Sequence, residues 1–121
     1  MLQIRAEQMA AFEAAARERL IGRVARFLRE QVAGACAALE EEALRARIAR
    51  SLEAGKRHGI TKQWDLARFA ACAMCLGESF ESDPAHWWPR GVLARGDLDA
   101  TQKMDRIEKH YLRPRIRRAA G

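Results

Sequence analysis

The sequence predicts an all-α fold: a compact bundle of three main helices plus a shorter C-terminal helix and an ordered aromatic loop. Three observations carry this expectation. Apolar residues recur at steps of three and four, the period of one helix face. No stretch shows the two-residue alternation of a half-buried strand. Gly34, Gly59 and Gly77 punctuate the apolar segments where helices should stop.

The first helix is expected over residues 3–32. Met9, Phe12, Ala16, Leu20, Val24, Phe27 and Leu28 make its apolar stripe. Arg17, Arg19, Arg23, Arg26 and Glu30 fall mainly on other faces. Glu13 with Arg17, and Arg26 with Glu30, are spaced to brace the exposed side.

The second helix is expected over residues 39–57, on Leu44, Ile48 and Leu52. Glu40, Glu41 and Glu42 stand at its start and Lys56, Arg57 and His58 at its end, which complements the helix dipole. Gly59 is a fitting C-terminal stop. Thr61 is then placed to cap a third helix over residues 62–76, with Asp65 in its first turns. From Phe69 to Leu76 that helix is apolar nearly all round, so it should be the central one.

Periodicity fails over residues 78–96. Two prolines and three aromatics between Phe80 and Pro89 read as an ordered loop, with Val92 and Leu93 able to anchor a short helix. Asp97 or Asp99 caps a last helix over residues 100–112, on Met104, Ile107 and Tyr111. Pro114 discourages continuation, and the arginine-rich end should fray. One helical domain over residues 1–112 and a flexible basic tail over residues 113–121 follow. The expected core includes Phe12, Leu20, Val24, Phe27, Leu44, Ile48, Leu52, Phe69, Met74 and Leu76.

With 121 residues, 49% hydrophobic and 31% charged, the chain fits a single folded domain. No apolar run approaches the ~18 residues of a membrane span, and no secretory leader is read at the start. Lys+Arg is 22 against 16 Asp+Glu. Four of the cations are Arg113, Arg115, Arg117 and Arg118; without them 18 against 16 leaves +2. The basicity therefore concentrates at one end.

Three cysteines, an odd number, point to a reducing, cytoplasmic setting. Cys72 and Cys75 have the spacing of half a zinc site or a redox pair. Zinc wants four ligands, and only Cys36 and the scattered His58, His86 and His110 remain. A redox pair opens a helix, where the dipole lowers the thiol pKa, and this pair closes one. Both are read as small core residues. No nucleophile elbow and no glycine-rich phosphate loop occurs, so neither enzyme chemistry, cofactor nor metal is expected.

Two surfaces remain. The tail arginines suit nucleic acid or an acidic surface, but stacking aromatics are absent there apart from Tyr111. Trp87-Trp88-Pro89 is the feature that core building explains least, because tryptophan is favoured where proteins bind one another. One tryptophan should be core and the other partly exposed.

The order of segments also resembles a known group. Ile4-Arg5-x-Glu7-Gln8-Met9-x-x-Phe12 opens it, and Phe27-Leu28-Arg29-Glu30 and His58-Gly59-Ile60-Thr61 follow. Then come Leu76-Gly77-x-x-Phe80-x-x-Asp83-Pro84, Trp88 and Lys103-Met104-Asp105-Arg106. Together they resemble small all-helical bacterial proteins encoded beside type VI secretion spike and effector genes. The resemblance implies a non-enzymatic accessory role, an adaptor or co-chaperone for an effector or its loading chaperone. The expected contact patch is Phe80, Trp87 and Trp88, framed by Arg90. The alternatives are an immunity protein that blocks a toxin and nucleic-acid binding through the tail. The long amphipathic helices also allow a homodimer.

Overall fold

The computed structural model describes the backbone of residues 2–120 and the side chains of residues 6–119. Every regular element among them is helical: α1 (Leu2–Gln31), α2 (Ala33–Cys36), α3 (Glu41–Arg57), α4 (Gln63–Leu76), α5 (Trp87–Leu93), α6 (Ala100–Ile107) and α7 (Arg113–Ala120). Two 3-10 turns, Phe80–Ser82 and Pro84–His86, lead into α5. A π turn, Glu108–Leu112, joins α6 to α7. No described helix is long and apolar enough to cross a membrane.

The α4 helix is the axis of the fold. It packs against α1, α2, α3, α6 and the π turn, and every residue from Asp65 to Met74 is buried. Its alanines let neighbours approach closely. Gly55 of α3 does the same from the other side: a Cβ there would sit 2.9 Å from Leu66 Cδ2 and 3.4 Å from the Phe69 ring. Val24, Leu44, Ile48, Leu52, Phe69 and Met74 are buried as expected, while Leu20, Phe27 and Leu76 sit at the margin.

The stops follow local chemistry. Gly59 adopts φ +77°. Its N–H donates to Lys56 O and that of Ile60 donates to Gly55 O, which closes α3 with a Schellman motif. Asp99 forms a capping box with Gln102, so α6 starts at Ala100. Thr61 does not cap α4; Lys62 takes that position, and no side chain caps the helix there.

Three expectations need correction. Phe12 is not core: it is 68% exposed, and every residue from Ala6 to Arg19 is exposed. At 1.5 Å per residue α1 is about 45 Å long against about 25 Å for α3, so its neighbours cannot cover it. The ion pairs Arg17–Glu53 (3.8 Å) and Arg45–Glu18 (2.8 Å) mark where coverage ends. Secondly, neither helical pair expected to brace α1 forms among the described residues; Arg17 turns to Glu53 instead of Glu13.

Thirdly, the chain does not fray after residue 112. Helix α7 continues to Ala120, and Ile116 packs on the core. Pro114 removes one N–H and crowds the preceding turn. The π turn widens the helix just before it, with the Arg113 N–H reaching back to Glu108 O. Arg115 then donates to Tyr111 O at 3.1 Å, which occupies a carbonyl at the disturbed turn. Gly121 lies outside the described residues.

One polar cluster, buried at Arg68 and Asp65 and open to solvent at Asp105, ties α4 to α6. Arg68, 5% exposed, donates to Asp65 Oδ1 at 2.7 Å and to Asp105 Oδ1 at 2.5 Å. Thr101 Oγ1 donates to Asp65 Oδ2 at 2.6 Å, and Glu108 lies 3.7 Å from the guanidinium. Burial opposes the Arg68 charge, but hydrogen bonds to Asp65 and Asp105 outweigh it and hold the pKa above its usual value. Removing the cation strands the Asp65 carboxylate at 1% exposure. Arg68→Met should therefore cost about 3–5 kcal/mol in a denaturant melt. A loss below about 1 kcal/mol, the range of exposed ion pairs, would show that the cluster does not hold α4 to α6.

Candidate protein-docking surface

The segment between α4 and α6 is built on three anchors. Phe80 is 1% exposed and packs against Phe69, with ring centroids 5.1 Å apart. Asp83 accepts from the Ala85 N–H at 2.9 Å and starts the second 3-10 turn at Pro84. His86 bridges two elements: one ring nitrogen meets Tyr111 Oη at 2.6 Å and the other meets Leu76 O at 3.1 Å. Only one of these contacts can use the imidazole as donor when it is neutral. The Leu76 carbonyl accepts, so the neutral ring is oriented to carry its proton on Nε2 and to accept from Tyr111 at Nδ1.

These anchors give the two tryptophans different fates. Trp88 turns inward and stacks on Tyr111, with centroids 6.0 Å apart and planes 11° from parallel. It also meets His110 edge-on at 6.3 Å. Trp87 turns outward and is 71% exposed. Pro89 is buried two residues further on. In the first turn of α5 its missing N–H costs nothing, so the helix forms around it.

The expected contact patch is thus divided. Trp87 and Arg90 are exposed and line a groove of about 510 Å³ with His58, Glu81, Gly91, Leu93 and Ala94. Phe80 cannot join them, because it belongs to the core beneath. Trp88 is half-buried and supports the site from inside. His86, which sequence reasoning passed over, orients the whole segment; its signal was the Asp83-Pro84 turn that sets it facing Tyr111.

The remaining titratable groups do not converge. Among the described residues no three His, Cys, Asp or Glu side chains come together to hold a metal ion. Cys36 and Cys72 are buried and Cys75 is half-buried, all as free thiols. Burial pushes the Cys72 thiol far up, and nearby Cys75 and Glu108 add to it. Burial also raises Cys75, with Cys36 contributing, and raises Cys36 against the opposing pull of Arg29 and Arg47.

Three of the four tail arginines fold back on the chain. Arg113 pairs with Glu108, Arg115 lies 3.4 Å over the Tyr111 ring, and Arg118 donates to Pro114 O at 3.3 Å. Comparison with protein-family models, with curated proteins and with solved structures finds no match.

Two measurements check this geometry. Trp88→Ala should lower stability by about 3 kcal/mol or more, while Trp87→Ala should leave the melt within about 0.5 kcal/mol of wild type. Equal losses would place both rings in the core. A raised thiol pKa leaves little thiolate below it, so alkylation at about pH 8 should reach Cys36 and Cys72 only on unfolding. Rapid native labelling of Cys72 would contradict its placement.

Proposed function

We propose that this protein is a non-enzymatic adaptor or co-chaperone of type VI secretion that holds an effector or its loading chaperone in the cytoplasm before export. The observation that carries the protein-binding part is Trp87. A large aromatic ring stands 71% exposed on a helix whose neighbours turn inward, Trp88 half-buried and Pro89 buried. Such a ring loses little freedom on binding and offers a large apolar area. Arg90 and the open groove beside it add a cation and a shape for a partner side chain. Tryptophan and arginine dominate binding energy at protein interfaces out of proportion to their number.

The secretion part rests on the resemblance of short motifs, from Ile4 to Arg106, to those of small helical proteins encoded beside spike and effector genes. The folding back of Arg113, Arg115 and Arg118 favours a protein partner over nucleic acid held by the tail.

The test is binding of the purified chain to the type VI effectors and loading chaperones of its own genome. One of them should bind, and Trp87→Ala should weaken that complex about tenfold or more with helicity unchanged. Unaltered affinity would remove the Trp87 surface from the account. Binding only to a toxin, with protection of cells that express it, would replace the adaptor by an immunity protein.

A further inference from the structure

We propose that the outer face of α1 is a second docking site, and that its occupant is an acidic amphipathic helix of another protein. The site is separate from the Trp87 surface and does not depend on the role proposed for it.

The α1 helix carries two apolar faces. Ile21, Val24, Ala25 and Leu28 are buried in the bundle. Met9, Phe12, Ala16, Leu20 and Phe27 lie about 120° further round, at about 100° per residue. The second face is unpartnered over its first half, where Met9 and Phe12 are both exposed. It runs on into a shallow groove of about 270 Å³ lined by Leu20, Phe27 and Trp64. Trp64 is itself 56% exposed and meets Phe27 edge-on at 5.3 Å.

Beside this strip lies a cationic one. A groove of about 610 Å³ is lined by Arg19, Arg23, Arg26, Arg29 and Arg45, with Glu41 as its one acidic lining residue. Arg29 is used within the fold, donating to Cys36 O and Leu39 O, and Arg45 is held by Glu18. Arg19 and Arg26 are exposed and have no hydrogen-bond or ion-pair partner among the described residues. Arg23 lines both grooves, so the cationic and apolar strips share an edge.

The repeat selects the occupant. Arg19, Arg23 and Arg26 follow each other at steps of four and three, about 6 and 4.5 Å along the axis. Carboxylates on one face of a helix laid alongside have the same repeat. That helix would also set apolar residues against Phe12, Leu20 and Trp64, the helix-in-groove mode of recognition. A nucleic-acid strand would meet the arginines and leave the apolar strip in water. A second copy of α1 would oppose arginine to arginine.

The test uses a synthetic leucine–glutamate amphipathic helix, its leucine–lysine counterpart and a single-stranded oligonucleotide, each titrated against the full chain. Arg19→Glu with Arg26→Glu, and separately Phe12→Ser, alter side chains that are exposed, so the fold should persist by circular dichroism. The glutamate helix should bind and the lysine helix should not. The double variant should weaken binding about tenfold or more, and Phe12→Ser should weaken it too. Absence of binding, equal binding of the lysine helix, or loss through neither variant would overturn the proposal. Tighter binding of the oligonucleotide would give the face to nucleic acid. A dimer abolished by Phe12→Ser would give it to a second copy.

Discussion

Arg68 is a full cation in the middle of the most buried helix, and α6 takes its position from that charge. A guanidinium removed from water must be met by carboxylates with good geometry or the fold loses several kcal/mol. Asp65 supplies one from the same helix, and Asp105 and Glu108 reach in from the last helical arm. Thr101 closes the circuit on Asp65. These contacts fix the register in which the arm docks. That register brings Tyr111 within reach of His86 and Trp88, which sets the direction of the whole α4–α6 connection. The outward turn of Trp87 follows from this docking together with the Asp83-Pro84 turn that precedes it.

The same compactness explains what is left uncovered. The core is assembled around a helix of 14 residues, with α3 of 17 residues beside it. A helix of 30 residues packed against these must overhang. The overhang is not a plain polar helix, because Met9 and Phe12 keep large apolar surface in water, and Trp64 of α4 is exposed beside the same side of α1. Scattered apolar residues on a surface are ordinary. Their alignment along one side of α1, edged by arginines, is the feature that suggests binding. Two surfaces of different chemistry result: a single tryptophan over a shallow groove, and a long strip that is half apolar and half cationic.

Much of the fold is legible in the sequence. The stripe of Leu44, Ile48 and Leu52, the apolar ring of α4 and the glycine stops depend on local periodicity and backbone freedom. The Asp99 cap is equally local. Phe12 misleads because periodicity reports that a face is apolar, not what covers it; two faces about 120° apart merge into one apparent stripe. Phe80 misleads for the opposite reason. An aromatic in an aperiodic stretch gives no sign of which way it turns, and its partner Phe69 is eleven residues away on another element. Arg68 carries no mark in the sequence, because Asp105 and Glu108, which meet it from the last helical arm, are distant along the chain. Pro114 reads as a stop because a π turn leaves no mark on composition.

A bundle clamped around α4 leaves the N-terminal half of α1 without a partner. Residue-resolved amide hydrogen exchange of the free protein tests it most directly. Helices without tertiary cover open locally at low cost, whereas core helices exchange near the global unfolding limit. Exchange should be fast over residues 6–19 and slowest over residues 65–74. Protection of residues 6–19 equal to that of α4 would contradict it, because that half of α1 would then be covered in the free protein.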